Sequence, residues 1–167
     1  LSYNGDSVTA FASLSRLYGR WHDPDFSDVN RVLYDVNVIW KPKPLMLQLA
    51  ASRRANETTF PISPITIDTL YSAKASWQVD AQWSLQASLA LADTEYLDSA
   101  FRARTLSYGI GVTRDLGHDV TFALDLTRLQ GTLISGEAAD AVVVAASLSR
   151  RFAPAAAARD TAAAPKG

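Results

Sequence analysis

Large apolar residues recur at every second position in several stretches of the chain. From Val32 to Trp40 the even-numbered residues are valine, tyrosine or tryptophan, while Asp35 and Asn37 lie between them. A period of two is the β-strand period, because successive side chains point to opposite faces. Similar alternation begins near Val8, Val32, Leu45, Ile67, Trp83, Leu106, Val120 and Val142. The pattern predicts an all-β protein with about eight strands.

Short and long connections alternate between these stretches. The short ones are Lys41–Pro44, Asp80–Gln82 and Gly117–Asp119, and they recur every ~37–39 residues. The longer ones are predicted at 22–30, 56–64, around 98–102 and at 130–140. Bacterial outer-membrane barrels have this layout, with short periplasmic turns and longer outside loops. The sequence therefore predicts an antiparallel up-and-down transmembrane β-barrel.

Three tryptophans lie close to the predicted short turns. Trp40, Trp77 and Trp83 all fall on the apolar face of their strands. If the short turns share one side of a membrane, the indole rings share one depth and form an aromatic girdle. The alternative is that they cap the core of a soluble β-sandwich.

The opposite face of the strands is small or polar. It carries both signs of charge, at Arg31, Asp35, Arg54, Asp68, Lys74, Asp115 and Asp125. In a membrane barrel this face lines the lumen. The charges are then predicted either to select solutes weakly or to pair with one another inside a filled lumen.

Composition removes several classes of function. The chain has no cysteine, which excludes disulfides and thiolate metal sites. Its formal net charge of −1 argues against a nucleic-acid partner. Hydrophobic residues make up 48% of the chain, yet no stretch approaches the ~18 apolar residues of a membrane helix.

Candidate chemistry is sparse. His22 and His118 lie in connections at opposite ends of the predicted barrel, so they cannot share a metal. Residues 23–28 hold three aspartates but lack the spacing and glycine of an EF-hand. Gly109 and Gly111 precede no helix pattern, so they are interpreted as small residues that make room in the lumen. We expect no enzyme activity and no cofactor.

The hairpins resemble a known family. The stretch LYDVNVIWKPKPLMLQLAASRRANETT, residues 33–59, has a strand ending in Trp-x-Pro followed by an alternating strand. With YGIGVTRDLGHDVTFALDLTR further on, it resembles the putative beta-barrel porin 2 family over most of residues 7–152. The resemblance implies a channel-like outer-membrane barrel of proteobacteria with more than eight strands. It supplies no catalytic residues.

Both ends of the chain carry predictions. Asn4-Gly5-Asp6 is a strong turn sequence, and residues 1–3 before it are interpreted as the end of an earlier strand. The chain is therefore expected to be the C-terminal part of a larger barrel, with a complete eight-stranded barrel as the alternative. Phe152 is the candidate assembly signal at the end of the last strand. Residues 153–167 form an alanine- and proline-rich tail that is expected to be disordered.

Three functions remain open on the sequence. The first is a porin-like channel in the outer membrane of a Gram-negative bacterium, for small hydrophilic solutes or an exported polymer such as polysaccharide. The second is a structural or adhesive barrel with a filled lumen and functional surface loops. The third is a soluble β-sandwich or lipocalin-like binder. The expected partners of the first two are outer-membrane lipid and the barrel assembly machinery.

Overall fold

One antiparallel sheet contains every strand of the computed structural model, which describes residues 1–20, 28–58, 63, 65–133 and 135–151. The strands are numbered in chain order. They are β1 Ser2–Asn4, β2 Val8–Gly19, β3 Val29–Trp40, β4 Leu45–Glu57, β5 Ile65–Gln78, β6 Trp83–Tyr96, β7 Arg102–Gly117, β8 Val120–Thr132 and β9 Ala138–Arg150. Each strand pairs with the next one along the chain, which confirms the up-and-down arrangement.

The predicted N-terminal turn is confirmed. β1 is short and pairs antiparallel with β2, for example Tyr3 with Ala10. Across the described residues the nine strands form a single sheet that does not close on itself, rather than the two packed sheets of a sandwich. Whether the chain is part of a larger barrel stays a prediction.

Among the described residues, the structure contains no helix that is both long enough and apolar enough to span a membrane.

The strands are longer than predicted at their loop ends. The predicted loop at 130–140 is too long, because β8 continues to Thr132 and β9 begins at Ala138. The predicted loop around 98–102 is also too long, since β6 ends at Tyr96 and β7 begins at Arg102. Backbone hydrogen bonding between strands does not require apolar side chains. Charged residues pair across the strands here, so these hairpins extend beyond the last alternating apolar residues. The connections at this end are still longer than those at the other.

Side-chain hydrogen bonds stabilise one of the short turns, and residues with positive φ angles form another. The Asp80 carboxylate accepts hydrogen bonds from the backbone N–H groups of Gln82 and Trp83, at 2.7 and 2.8 Å. Gly117, His118 and Asp119 all have positive φ angles, of 78°, 55° and 61°. Glycine adopts this conformation freely, and aspartate and histidine adopt it more often than most residues.

The turns are staggered as a barrel requires. Successive short turns are displaced along the pairing register by about two residues per hairpin, or about one residue per strand. With a rise of about 3.4 Å per residue and a strand spacing of about 4.8 Å, this stagger corresponds to a tilt of roughly 35° if the turns share one depth. Barrel strands tilt by about 35–45°.

The sheet splits at its loop end. Pairing between β3 and β4 stops at Tyr34 and Arg53, whereas β4 pairs with β5 as far as Glu57. The gap holds a small apolar cluster centred on Ile67, which is 1% exposed, with Val29 and Leu97 around it. These three are the buried hydrophobic residues of the described chain. The main apolar area of the protein is therefore on its surface.

Candidate functional site: the two faces of the sheet

The pairing register places apolar residues of one strand beside apolar residues of the next, and polar residues beside polar ones. Trp77 pairs with Leu85, and Leu85 pairs with Val112, so these residues share a face. On the other face, Gln48 pairs with Lys74, and Lys74 pairs with Ser88. The sheet therefore has one apolar face and one polar face, as the sequence predicted.

The three predicted girdle tryptophans all lie on the apolar face. Trp40 and Trp77 are 47% and 48% exposed, and the Trp83 ring lies 4.9 Å from the Arg114 guanidinium, which stacks over it. Exposed rings on an apolar surface suit the headgroup depth of a bilayer. Their role as a girdle stays a prediction.

A second aromatic row was missed. Tyr34, Tyr71 and Tyr108 lie six residues before Trp40, Trp77 and Arg114 respectively, on the same face. The Tyr34 and Tyr71 hydroxyls are 2.8 Å apart and hydrogen-bonded. An exact 37-residue spacing between the tyrosines was the signal that could have found the row.

By strand parity, all seven residues predicted to line the lumen belong to the polar face. The structure brings several of them into contact with partners. Arg54 donates to Asp35 at 2.6 Å, joining β4 to β3. Asp68 accepts a hydrogen bond from Thr94 at 2.7 Å and another from Asn56. These carboxylates are therefore held in place within the polar face.

Asp125 is held by a contact that spans three strands. The Gln86 side-chain amide on β6 donates to the Asp125 carboxylate on β8 at 2.5 Å, passing over Gly111 of β7. A Cβ at Gly111 would lie 2.5 Å from Gln86 Nε2 and closer still to Asp125. The interpretation of Gly111 as a residue that makes room on this face agrees with these contacts.

Lys74 differs from the other charges. It forms no ion pair in the part of the chain that the structure describes, and its strand neighbours are Gln48 and Ser88. It lies three residues from Trp77 and three from Tyr71 on the same strand, midway between the two aromatic rows.

Arg31 and Asp115 are set apart from the others. Arg31 lies where the sheet splits, and its guanidinium is 3.6 Å from Glu95, which belongs to the apolar-face parity of β6. Asp115 accepts a hydrogen bond from the Gly117 backbone at 2.8 Å and so belongs to the β7–β8 turn. The predicted set therefore separates into a central group of five and two residues near the sheet ends.

Charged residues also lie on the apolar-parity face, at its loop end. They line a recess of about 310 Å³, called the arginine recess below. Its lining is Tyr34, Arg53, Ile67, Thr69, Tyr71, Leu91, Asp93, Glu95, Arg102 and Arg104. The alternation did not predict this recess, because Arg102 was predicted to lie in a loop.

Other predicted features have less structural support. No group of three or more histidines, aspartates or glutamates within the described ranges could hold a metal. His118 lies in the β7–β8 turn. His22, most of the aspartate-rich segment 23–28, Phe152 and the tail 153–167 lie outside the described residues. The assembly signal and the disordered tail stay predictions.

Comparisons with known proteins identify the family. The family described as Putative beta-barrel porin 2 matches residues 17–152, which is most of the chain and includes β3 to β9 entirely. Searches of curated proteins and of solved structures gave no match. A porin-like barrel family indicates a membrane location, in agreement with the exposed apolar face. The chain belongs to the Putative beta-barrel porin 2 family.

Proposed function

We propose that this protein forms part of a water-filled channel in the outer membrane of a Gram-negative bacterium and passes small hydrophilic solutes. The observation that carries the proposal is the polar face, whose carboxylates, amides and one lysine lie behind an exposed apolar surface. Membership in a porin-like barrel family supports it. The proposal includes no catalytic role.

Lys74 gives the proposal a direct test. Full-length protein inserted in a planar bilayer should give stepwise conductance, and Lys74→Glu should shift the reversal potential in a salt gradient toward cation selectivity. Replacing one charge by its opposite changes the lumen charge by two units at mid-depth, where few screening ions fit.

Lys43→Glu is the matched control. It makes the same charge change in the β3–β4 turn, outside the strands, and should leave the reversal potential nearly unchanged. Persistent electrical silence of folded protein would refute the channel. Equal shifts from the two variants would refute the placement of Lys74 in the conducting path.

Two further readings remain as alternatives. An exported polymer such as polysaccharide would use the same polar face, and it should block small-ion conductance when added to the channel. A structural or adhesive barrel with a filled lumen is favoured by the cross-strand bonds of Asp35 with Arg54 and of Gln86 with Asp125. That reading predicts folded, surface-exposed protein without conductance.

A further inference from the structure

We propose that the arginine recess binds the phosphate-bearing headgroup of a membrane lipid. The proposal rests on the chain spanning a membrane, as proposed above, but it concerns the outer surface rather than the lumen. Every residue that lines the recess has the apolar-face parity of its strand, so the recess opens toward the side that carries the tryptophans.

The depth of the recess matches that of a lipid headgroup. Arg53 pairs with Tyr34, six residues from Trp40, and Arg104 lies ten residues along β7 from Arg114. At a tilt of roughly 35°, these separations are about 17 and about 28 Å along the membrane normal. The apolar band of membrane barrels is about 25 Å tall. Arg104 therefore lies at the membrane surface opposite the tryptophans, and Arg53 lies within the apolar band, from which a long arginine side chain can extend toward that surface.

Two of the three arginines have donors to spare. Arg102 is satisfied, since it makes a bidentate pair with Asp93 at 2.7 and 2.5 Å. Arg104 has no ion pair among the described residues, and its side chain is exposed. Arg53 approaches Glu95 only to 3.9 Å, and its Nε is buried without a hydrogen-bond partner. A buried guanidinium donor without an acceptor is costly, so an added oxygen ligand would stabilise it.

The chemistry of the recess fits a phosphate ester with an attached chain. A guanidinium presents parallel donors that match phosphate oxygens, and Arg53 and Arg104 together have more free donors than one neutral headgroup needs. Leu91 and the tyrosine rings border the recess, which suits the start of an acyl chain and the interface itself. A free anion would gain nothing from this apolar border.

The test uses lipids that differ only in the phosphate. Full-length protein in detergent is titrated with dioleoyl phosphatidic acid or dioleoylglycerol, and lipid adducts are counted by native mass spectrometry. We expect adducts with the phosphatidic acid, and at least tenfold weaker apparent affinity for the double variant Arg53→Gln, Arg104→Gln. Arg54→Gln is the matched control, because it is adjacent in sequence and lies on the polar face; its affinity should stay within twofold.

Four outcomes would overturn the proposal. They are equal binding of dioleoylglycerol, unchanged affinity of the double variant, an equal loss in Arg54→Gln, or displacement of the lipid by millimolar inorganic phosphate, which would indicate a free-anion site.

Folding is checked by the difference in gel mobility before and after boiling. If the double variant does not fold, Arg104→Gln alone should weaken binding at least threefold, since that side chain is exposed and unpaired within the described structure. Conductance is measured on the same samples, so a silent channel and a failure to bind lipid are separate results.

Discussion

Replacing Gly111 by alanine places a methyl group where two side chains already meet. The new Cβ would lie 2.5 Å from Gln86 Nε2 and 2.8 Å from Gln86 Cγ, and in closer contact with the Asp125 carboxylate. At these distances the side-chain ends of Gln86 and Asp125 must move away from the methyl group, which is expected to disrupt the hydrogen bond between them. Loss of a hydrogen bond to a charged group costs about 1.5–3 kcal/mol. Alanine regains about 0.5–1 kcal/mol through lower backbone entropy in the unfolded chain. The expected net destabilisation is about 1–2 kcal/mol.

Denaturant unfolding of the detergent-folded full-length protein, followed by tryptophan fluorescence, measures this loss. Gly19→Ala is the matched control, because the nearest atom to its added Cβ is 4.0 Å away. It should be neutral or slightly stabilising. In an Asp125→Ala background the Gly111 substitution should cost less than half as much. Equal effects at Gly111 and Gly19, or an undiminished cost in the Asp125→Ala background, would show that the added methyl group does not act through the hydrogen bond between Gln86 and Asp125.

Three further predictions concern other parts of the sheet. Asp80→Ala removes the acceptor of two backbone hydrogen bonds in the β5–β6 turn and should lower the free energy of unfolding by about 1 kcal/mol, whereas Asp80→Asn should recover most of it. Arg128→Gln removes a bidentate pair with Asp140 whose partners are about half exposed, so its cost should stay below about 1 kcal/mol in the same unfolding assay. Trp77→Ala should reduce the part of the tryptophan emission that lipids brominated near the headgroup quench most strongly, with Trp40 and Trp83 supplying the remainder; unchanged quenching would contradict the girdle.

Much of the fold could be predicted from the sequence because each strand shows its two faces. The alternation from Val32 to Trp40 fixes which side chains share a surface, and the register of the sheet follows from it. The short turns were also visible, since Pro42, Pro44 and Gly117 interrupt the ladder. Strand ends at the loop side were not visible, because the pairs Asp93 with Arg102 and Arg128 with Asp140 look like loop residues when read singly.

The sequence could predict which residues share the polar face but not which of them contact one another. Parity assigned Asp35, Arg54 and Lys74 to one face. It could not indicate that Arg54 reaches back to Asp35 rather than to its register partner Asp68, because that choice depends on side-chain conformation. The split of the sheet at Tyr34 was equally hidden, since nothing in the local pattern marks where β3 leaves β4. The arginine recess lies beside that split, because Tyr34 and Arg53, the last pair between β3 and β4, are among the residues that line it.

We expect the alternating faces of this sheet to meet lipid on one side and the lumen on the other. Because the chain has no cysteine, single cysteines can be introduced along β6 and spin-labelled. Full-length protein in lipid vesicles is then tested for label accessibility to oxygen, which concentrates in lipid, and to a water-soluble nickel chelate. If the apolar face meets lipid, labels at Leu85, Ala87 and Leu89 should be accessible to oxygen. Labels at Gln86, Ser88 and Ala90, on the polar face, should be accessible to the nickel chelate. Nickel access at both sets, or the reverse alternation, would contradict this expectation.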